Sequence, residues 1–473
     1  MDSPAPSESS PKPALAPIAR YSYYALGVLT VVNFLNYIDR QILPAVAPLM
    51  AKDLHLTDTE IGAMEAALLL SFTILAPLFG KLGDKYSRTK LMAGAAVLWS
   101  IATGLTGIID HSPMMPAALH VNVPVIQFGL SLSGVAILLC VVRAAVGVGE
   151  SSYSTITPSL IADYFPLHWR ATALGIFQAA IPMGFALGAM IGVVLASFFG
   201  WRMAFMIVGV PGLITAFFVW RLREPIRGIQ DGDKDVASEP RESFIKTSWR
   251  IIRNRNWLLA TAGYTSLTFV LGAFGTWAII LLEREKGMTN EAAGITLGVV
   301  ILLAGAAGTF GGGWIADRFA RKRHNAYFLV CAASSFLGII PAFLCLSGSN
   351  PWVFIPAIFF TVFFLFINNA PFHAILVNSV SASIRATAIA LNIVAIHLFG
   401  DVNSRFGVGV LSDSLYAGNS KFLARIAENL GIEPVREHLT AALLVVPLAL
   451  LLSSLFFLWG ARKQKVDDFV VHH

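Results

Sequence analysis

"GKLGDKYSRTK", residues 80–90, returns as "GWIADRFARKR", residues 313–323, with a leading glycine, a small and acidic core and a basic tail. Asp84 and Asp317 stand 233 residues apart, about half of the 473-residue chain. Two further pairs keep a similar offset: "RATAL" from Arg170 with "RATAI" from Arg385, and "TDTEIG" from Thr57 with "TNEAAG" from Thr289. Three landmarks offset by 215 to 233 residues argue for duplication of one unit. In an apolar chain, such a repeat implies two halves related by a pseudo-two-fold axis along the membrane normal.

The rest of the chain is apolar enough for that reading. Hydrophobic residues make up 56% and charged residues 13%, and the mean hydropathy is +0.69, so the protein is an integral membrane protein. Apolar runs of about 20 residues, the length that spans a ~30 Å hydrocarbon core, recur throughout. They start near Tyr24, Ile61, Lys90, Ile126, His168, Arg202, Trp257, Glu291, Ala326, Trp352, Arg385 and Leu439. The expected fold is an all-α membrane protein of about twelve transmembrane helices in two six-helix bundles. The divisions are 1–20, a disordered cytoplasmic tail; 21–222, the N-terminal bundle; 223–255, a cytoplasmic linker; 256–462, the C-terminal bundle; and 463–473, a second cytoplasmic tail. Within the linker, "FIKTSWRIIRNRNW" suits either an interfacial helix or a basic flank of the seventh span.

Of the 34 Lys and Arg, 24 fall on the side of the N-terminus, 7 on the other, and Arg40, Arg143 and Arg405 within spans. Basic residues gather on the cytoplasmic side, so both termini are expected there. The formal charge of +6 needs no nucleic acid to explain it. Cys140, Cys331 and Cys345 lie in apolar stretches and suggest neither disulfides nor a thiolate metal site. The chain lacks a Walker loop, a GxSxG elbow and an HExxH pair, which argues against an enzyme. No metal or cofactor is expected.

Charge inside spans marks the functional residues, because a charged residue at the bilayer centre costs roughly 2.5–3.5 kcal/mol on insertion scales. In "NFLNYIDRQILP", residues 33–44, Asn33, Asn36, Tyr37 and Arg40 fall on one helical stripe, with Asp39 at its edge. On the fourth span, Arg143 and Glu150 sit two turns apart on one face. Two acids and two bases can neutralise one another in pairs. Protonating Asp39 or Glu150 then frees an arginine, for a substrate anion or a new partner. Glu65, near the outer end of the second span, either extends this network or reaches the interface.

The second half differs. An offset of 232 residues sets Leu271 and Gly272 against Asp39 and Arg40. That half offers Phe269, Phe274, the tenth-span phenylalanines, and Asn368, Asn369 and His373 around Pro371. His373 is either a substrate donor or a packed histidine. His397, Asp401 and Arg405 recur every four residues on the eleventh span, as an outer gate or a proton route. A cavity charged on one wall and apolar on the other suits an amphipathic substrate, its head group at Arg40 and Arg143. In the repeated loops, Gly80, Asp84 and Arg88 with Gly313, Asp317 and Arg321 are the candidate cytoplasmic gate, the two acids latching the halves in the outward-facing state. Gly184, Gly188 and Gly192, four apart, allow close helix contact.

The loop Gly80, Leu82, Gly83, Asp84, Lys85, Arg88, Lys90 resembles the signature loop of the major facilitator superfamily. More narrowly, "NYIDR", "RAAVGVGESSYSTITPSLIADYFP" from Arg143, "GWRMAF" from Gly200 and "HLFGDVNSRFGVGVLSD" from His397 resemble the Spinster family over all the spans. One departure is Ser404–Arg405, where the family pattern leads us to expect Ser-Pro; it bears on the outer gate or on substrate preference. The resemblance implies a secondary active transporter of alternating access, with lysophospholipids or sphingoid lipids as substrates and proton coupling through the first-span acid. The proton gradient is then the energy source. A small organic anion, such as a sugar acid or carboxylate, is the other transport substrate; a lipid scramblase or a substrate-sensing receptor is the reading outside coupled transport. A monomer in a bacterial inner membrane is expected.

Overall fold

The computed structural model of the chain describes residues 20–110, 119–123, 128–226, 244–380 and 384–463. The expected terminal tails and most of the linker lie outside the described residues. The helices in chain order are α1 (Arg20–Leu54), α2 (Asp58–Lys85), α3 (Arg88–Thr106), α4 (Gly134–Tyr164), α5 (Leu167–Trp220), α6 (Phe244–Arg253), α7 (Arg255–Arg284) and α8 (Asn290–Ala320). They continue as α9 (Ala326–Leu337), α10 (Ile339–Ser347), α11 (Pro351–Ile367), α12 (Asn369–Asn378), α13 (Arg385–Ala395), α14 (Val402–Tyr416), α15 (Lys421–Asn429), α16 (His438–Leu443) and α17 (Val445–Lys463).

Among the described residues, nine helical stretches are long and apolar enough to cross a membrane. One of them, within α5, holds two spans, because Gly200 at φ 79° and ψ 161° breaks the helix in a conformation that only glycine adopts cheaply. With α1 and α3 the spans number twelve. α9–α10, α11–α12, α13–α14 and α16–α17 are single spans interrupted at Gly338, at Asn368, by a π-helical segment (Ile396–Asp401) and at Leu444. Short α6 and α15 are amphipathic: on α6, Ile245 and Trp249 are exposed and the Arg253 guanidinium lies 4.9 Å from the Trp249 ring centre.

One of the sequence repeats has a local cause. Thr57 and Thr289 are the N-caps of α2 and α8, their hydroxyls accepting from the amides of Glu60 and Ala292, and each satisfies a donor that the helix start leaves free. The fourth span begins at Gly134 and not near Ile126. An antiparallel hairpin, β1 (Leu119–Val123) and β2 (Phe128–Leu132), takes up the residues before it, and Ser133 caps α4.

Within the first half, Gly184 and Gly188 bring α5 onto α1. A Cβ at Gly188 would lie 2.8 Å from Ile38 Cα. Between the halves, Gly294 and Gly298 of α8 meet Val193 and Met190 of α5, and Gly62 of α2 meets the Arg405 backbone. These contacts lie toward the face opposite the chain ends. Asp58 fastens that face. Its carboxylate accepts from Arg284 Nη1 at 2.9 and 2.8 Å and from the Ser412 hydroxyl at 2.7 Å. The backbone N–H groups of Asp58 and Thr59 donate to the Asp413 carboxylate at 3.2 and 2.7 Å.

Candidate functional site

A cavity of about 250 Å³ lies between the halves. Tyr37 and Arg40 of α1, Glu65 of α2, His397 and Asp401 of the π-helical segment and Arg405 of α14 are among its polar lining residues. Leu68, Phe185, Phe274, Leu297, Ile301 and Phe366 are among its apolar lining residues.

Of the four charged residues expected to neutralise one another in pairs, Arg40 and Glu150 pair directly, while Asp39 and Arg143 take other partners. Arg40 Nε donates to Glu150 Oε2 at 2.6 Å, and Glu150 is fully buried. The Arg40 guanidinium also lies 5.0 Å from the Tyr37 ring centre and 4.8 Å from that of Phe72, within cation–π range. Asp39 points away from the cavity and accepts from the Thr103 hydroxyl of α3 at 2.7 Å. Arg143 is fully buried, with Nη2 3.5 Å from Glu65 Oε1. The other oxygen of Glu65 takes Arg405 Nη1 at 2.5 Å, and that nitrogen also donates to Thr276 at 2.9 Å. His397 Nδ1 and Asp401 Oδ2 are 2.8 Å apart, and Phe72 meets the His397 ring edge-on.

Several expected cavity residues are spent elsewhere. Asn33 is buried, and its amide donates to the Phe177 carbonyl at 2.9 Å, because the α5 glycines draw that helix onto the polar stripe. Asn36 is likewise buried and outside the cavity lining. Asn369 accepts from the Tyr264 hydroxyl at 2.8 Å, while Tyr264 stacks on Phe372 at 3.7 Å. His373 is exposed and does not line the cavity.

The candidate gate residues sit on the face of the chain ends. Asp84, Asp317 and Arg321 are exposed, and Asp317 accepts from the Tyr327 hydroxyl at 3.1 Å. Cβ atoms at Gly80 and Gly313 would approach Thr155 and Ala370, each in the glycine's own half. Arg88 is bound within the first half, to Asp163 at 2.5 Å and Glu224 at 2.8 Å. Burial pushes the Glu224 carboxyl up, but the Arg88 guanidinium, the Thr89 N–H and the Ser87 hydroxyl outweigh it and hold the group below its ordinary range.

Sequence reasoning missed Thr103 and Thr276, and left Glu65 and Arg405 unassigned to each other. The available signal was charge: an acid and a base in two spans at similar depth need partners.

Two duplicated bundles around an amphipathic, ion-paired cavity define a membrane transporter. The Major Facilitator Superfamily model matches residues 29–400. Protein spinster homolog 1 of Homo sapiens is 32% identical over 410 residues, covering 82% of this chain and 73% of that protein. Protein spinster of Drosophila melanogaster is 29% identical over 411 residues, covering 85% of this chain and 64% of that protein's length. Among solved structures, an inward-facing, unoccupied bacterial homologue of the human lysosomal transporter Spinster superposes with a TM-score of 0.77 at 19% identity, covering 96% of this chain and 99% of its own. The inward open xylose transporter XylE of E. coli superposes with a TM-score of 0.66 at 17% identity, covering 93% and 96%. The chain belongs to the Major Facilitator Superfamily and, within it, to the Spinster family of transporters.

Proposed function

We propose that this transporter moves a lysophospholipid or sphingoid-type lipid by alternating access, coupled to protons through Asp39 and Glu150. The observation that carries the reading is the cavity itself. Arg40 and Glu65 of the first half and Asp401 and Arg405 of the second supply charge, while Phe274, Leu297 and Phe366 offer apolar surface. A head group can exchange for a carboxylate at Arg40, and an acyl or sphingoid chain can lie along the apolar wall.

Two buried carboxylates, Glu150 paired with Arg40 and Asp39 bonded to Thr103, support the proton-coupling reading. Protonating Glu150 releases Arg40, and a proton on Asp39 changes the charge beside Arg143. The protein acts as a monomer in a bacterial inner membrane with both chain ends in the cytoplasm. The face fastened by Asp58 is then periplasmic, and Asp84 and Asp317 latch the halves when the cavity is closed to the cytoplasm. Because Arg40 and Arg405 both reach the cavity, a small organic anion is the competing substrate.

Liposomes carrying the purified protein under an imposed pH gradient test the proposal. Gradient-driven accumulation of labelled lysophospholipid, at least tenfold above that of a labelled carboxylate, is expected. Preferential carboxylate uptake would replace the lipid reading. Lipid equilibration that ignores the gradient would indicate a scramblase, and binding without flux a receptor.

A further inference from the structure

Glu65 stands between two cations and is bonded to one. Its Oε2 holds Arg405 Nη1 of the second half at 2.5 Å. Its Oε1 has no hydrogen-bond partner and lies 3.5 Å from Arg143 Nη2 of its own half, beyond the ordinary range for an N–H···O bond. Arg143 is fully buried, and its Nε, Nη1 and Nη2 all lack hydrogen bonds. A buried guanidinium left this way is costly, and a carboxylate within reach is the partner that relieves it.

Arg405 is fixed to the second half. Its carbonyl accepts from Trp277 Nε1 at 3.2 Å, and Nη1 donates to Thr276 on the same helix, α7. When the halves part on the face opposite the chain ends, Arg405 must leave with α7 and α14 while Glu65 stays with α2. A Glu65 stripped of its cation would resist that step. Arg143, already 3.5 Å away, removes the resistance.

We propose that Glu65 is a positioning residue that changes partners as the halves rock: Arg405 when this face is closed, Arg143 when it opens. The inference rests on alternating access, and not on lipid or proton as cargo. It assigns Arg143 a structural partner in the open state, a role separate from holding a head group. It also gives Arg405, at the Ser404–Arg405 position, the task of closing the cavity.

Cysteine accessibility tests the exchange without substrate or pH gradient, so its failure is distinguishable from failure of the lipid or proton reading. Val193, 1% exposed and packed on Gly294 of the other half, becomes reachable from that face only on opening. In a variant with the three native cysteines replaced, Val193→Cys is labelled with a membrane-impermeant maleimide. Arg143→Met is expected to slow labelling at least tenfold, because the open state loses its ion pair. In an Arg405→Met background, Glu65 has lost its closed-state partner, and Arg143→Met should then change the rate less than twofold. Arg143→Lys, which keeps the charge and loses the fork, should slow labelling to an intermediate degree and serves if the methionine variant does not fold. Equal slowing in both backgrounds, or none in either, would overturn the proposal.

Discussion

The two halves share a backbone plan and differ in where they keep charge. The first buries Asp39, Glu65, Arg143 and Glu150 and keeps Arg40 half-buried, across three helices. The second brings His397, Asp401 and Arg405 from one span, at a π-helical segment where regular helix spacing is lost. Gly272, the counterpart of Arg40, shows why. A Cβ there would come within 2.9 Å of Asp401 Oδ1, so the eleventh span occupies the space that an arginine fills in the first half. Duplication preserved the helices, and side-chain divergence spread the first half's charge over three helices while the second half draws its cavity charge from one span.

The largest expected effect breaks that asymmetry on the charged side. Glu150→Ala leaves Arg40 and Arg143 short of an acid, and removing one partner of a buried pair typically costs about 3–5 kcal/mol. Asp401→Ala, in a partly exposed pair with His397, should cost about 1 kcal/mol. Thermal unfolding in detergent should order the two variants so; equal losses would mean that charge is not concentrated as described. Between these two in size, Gly272→Leu in the second half should lower stability by about 1–3 kcal/mol through overpacking against Asp401 and Ser404. The same measurement showing no loss would mean that the eleventh span yields easily, and the comparison between the halves would rest on charge alone.

Much of this was legible in the sequence, because two periodicities are local. The loop repeat and the caps at Thr57 and Thr289 follow from the duplication, and Arg143 with Glu150 follows from two helical turns. What was not legible depends on which helix lies beside which. Asn33 has the stripe's spacing yet serves Phe177, because glycines on another helix decide how close α5 comes. Glu65 and Arg405 are 340 residues apart in sequence, and no spacing rule joins them. The paired strands Leu119–Val123 and Phe128–Leu132 escaped a rule based on hydropathy, since the second is as apolar as the start of a span.

The proposed mechanism has carboxylates in the first half carry the proton that breaks and remakes their ion pairs. Gradient-driven lysophospholipid uptake by Asp39→Asn in liposomes, measured beside gradient-free exchange, tests it. Gradient dependence should vanish while some exchange persists, because asparagine can still accept from Thr103 but cannot take up the proton. Uptake that still follows the imposed pH gradient as in the unmodified protein would contradict it.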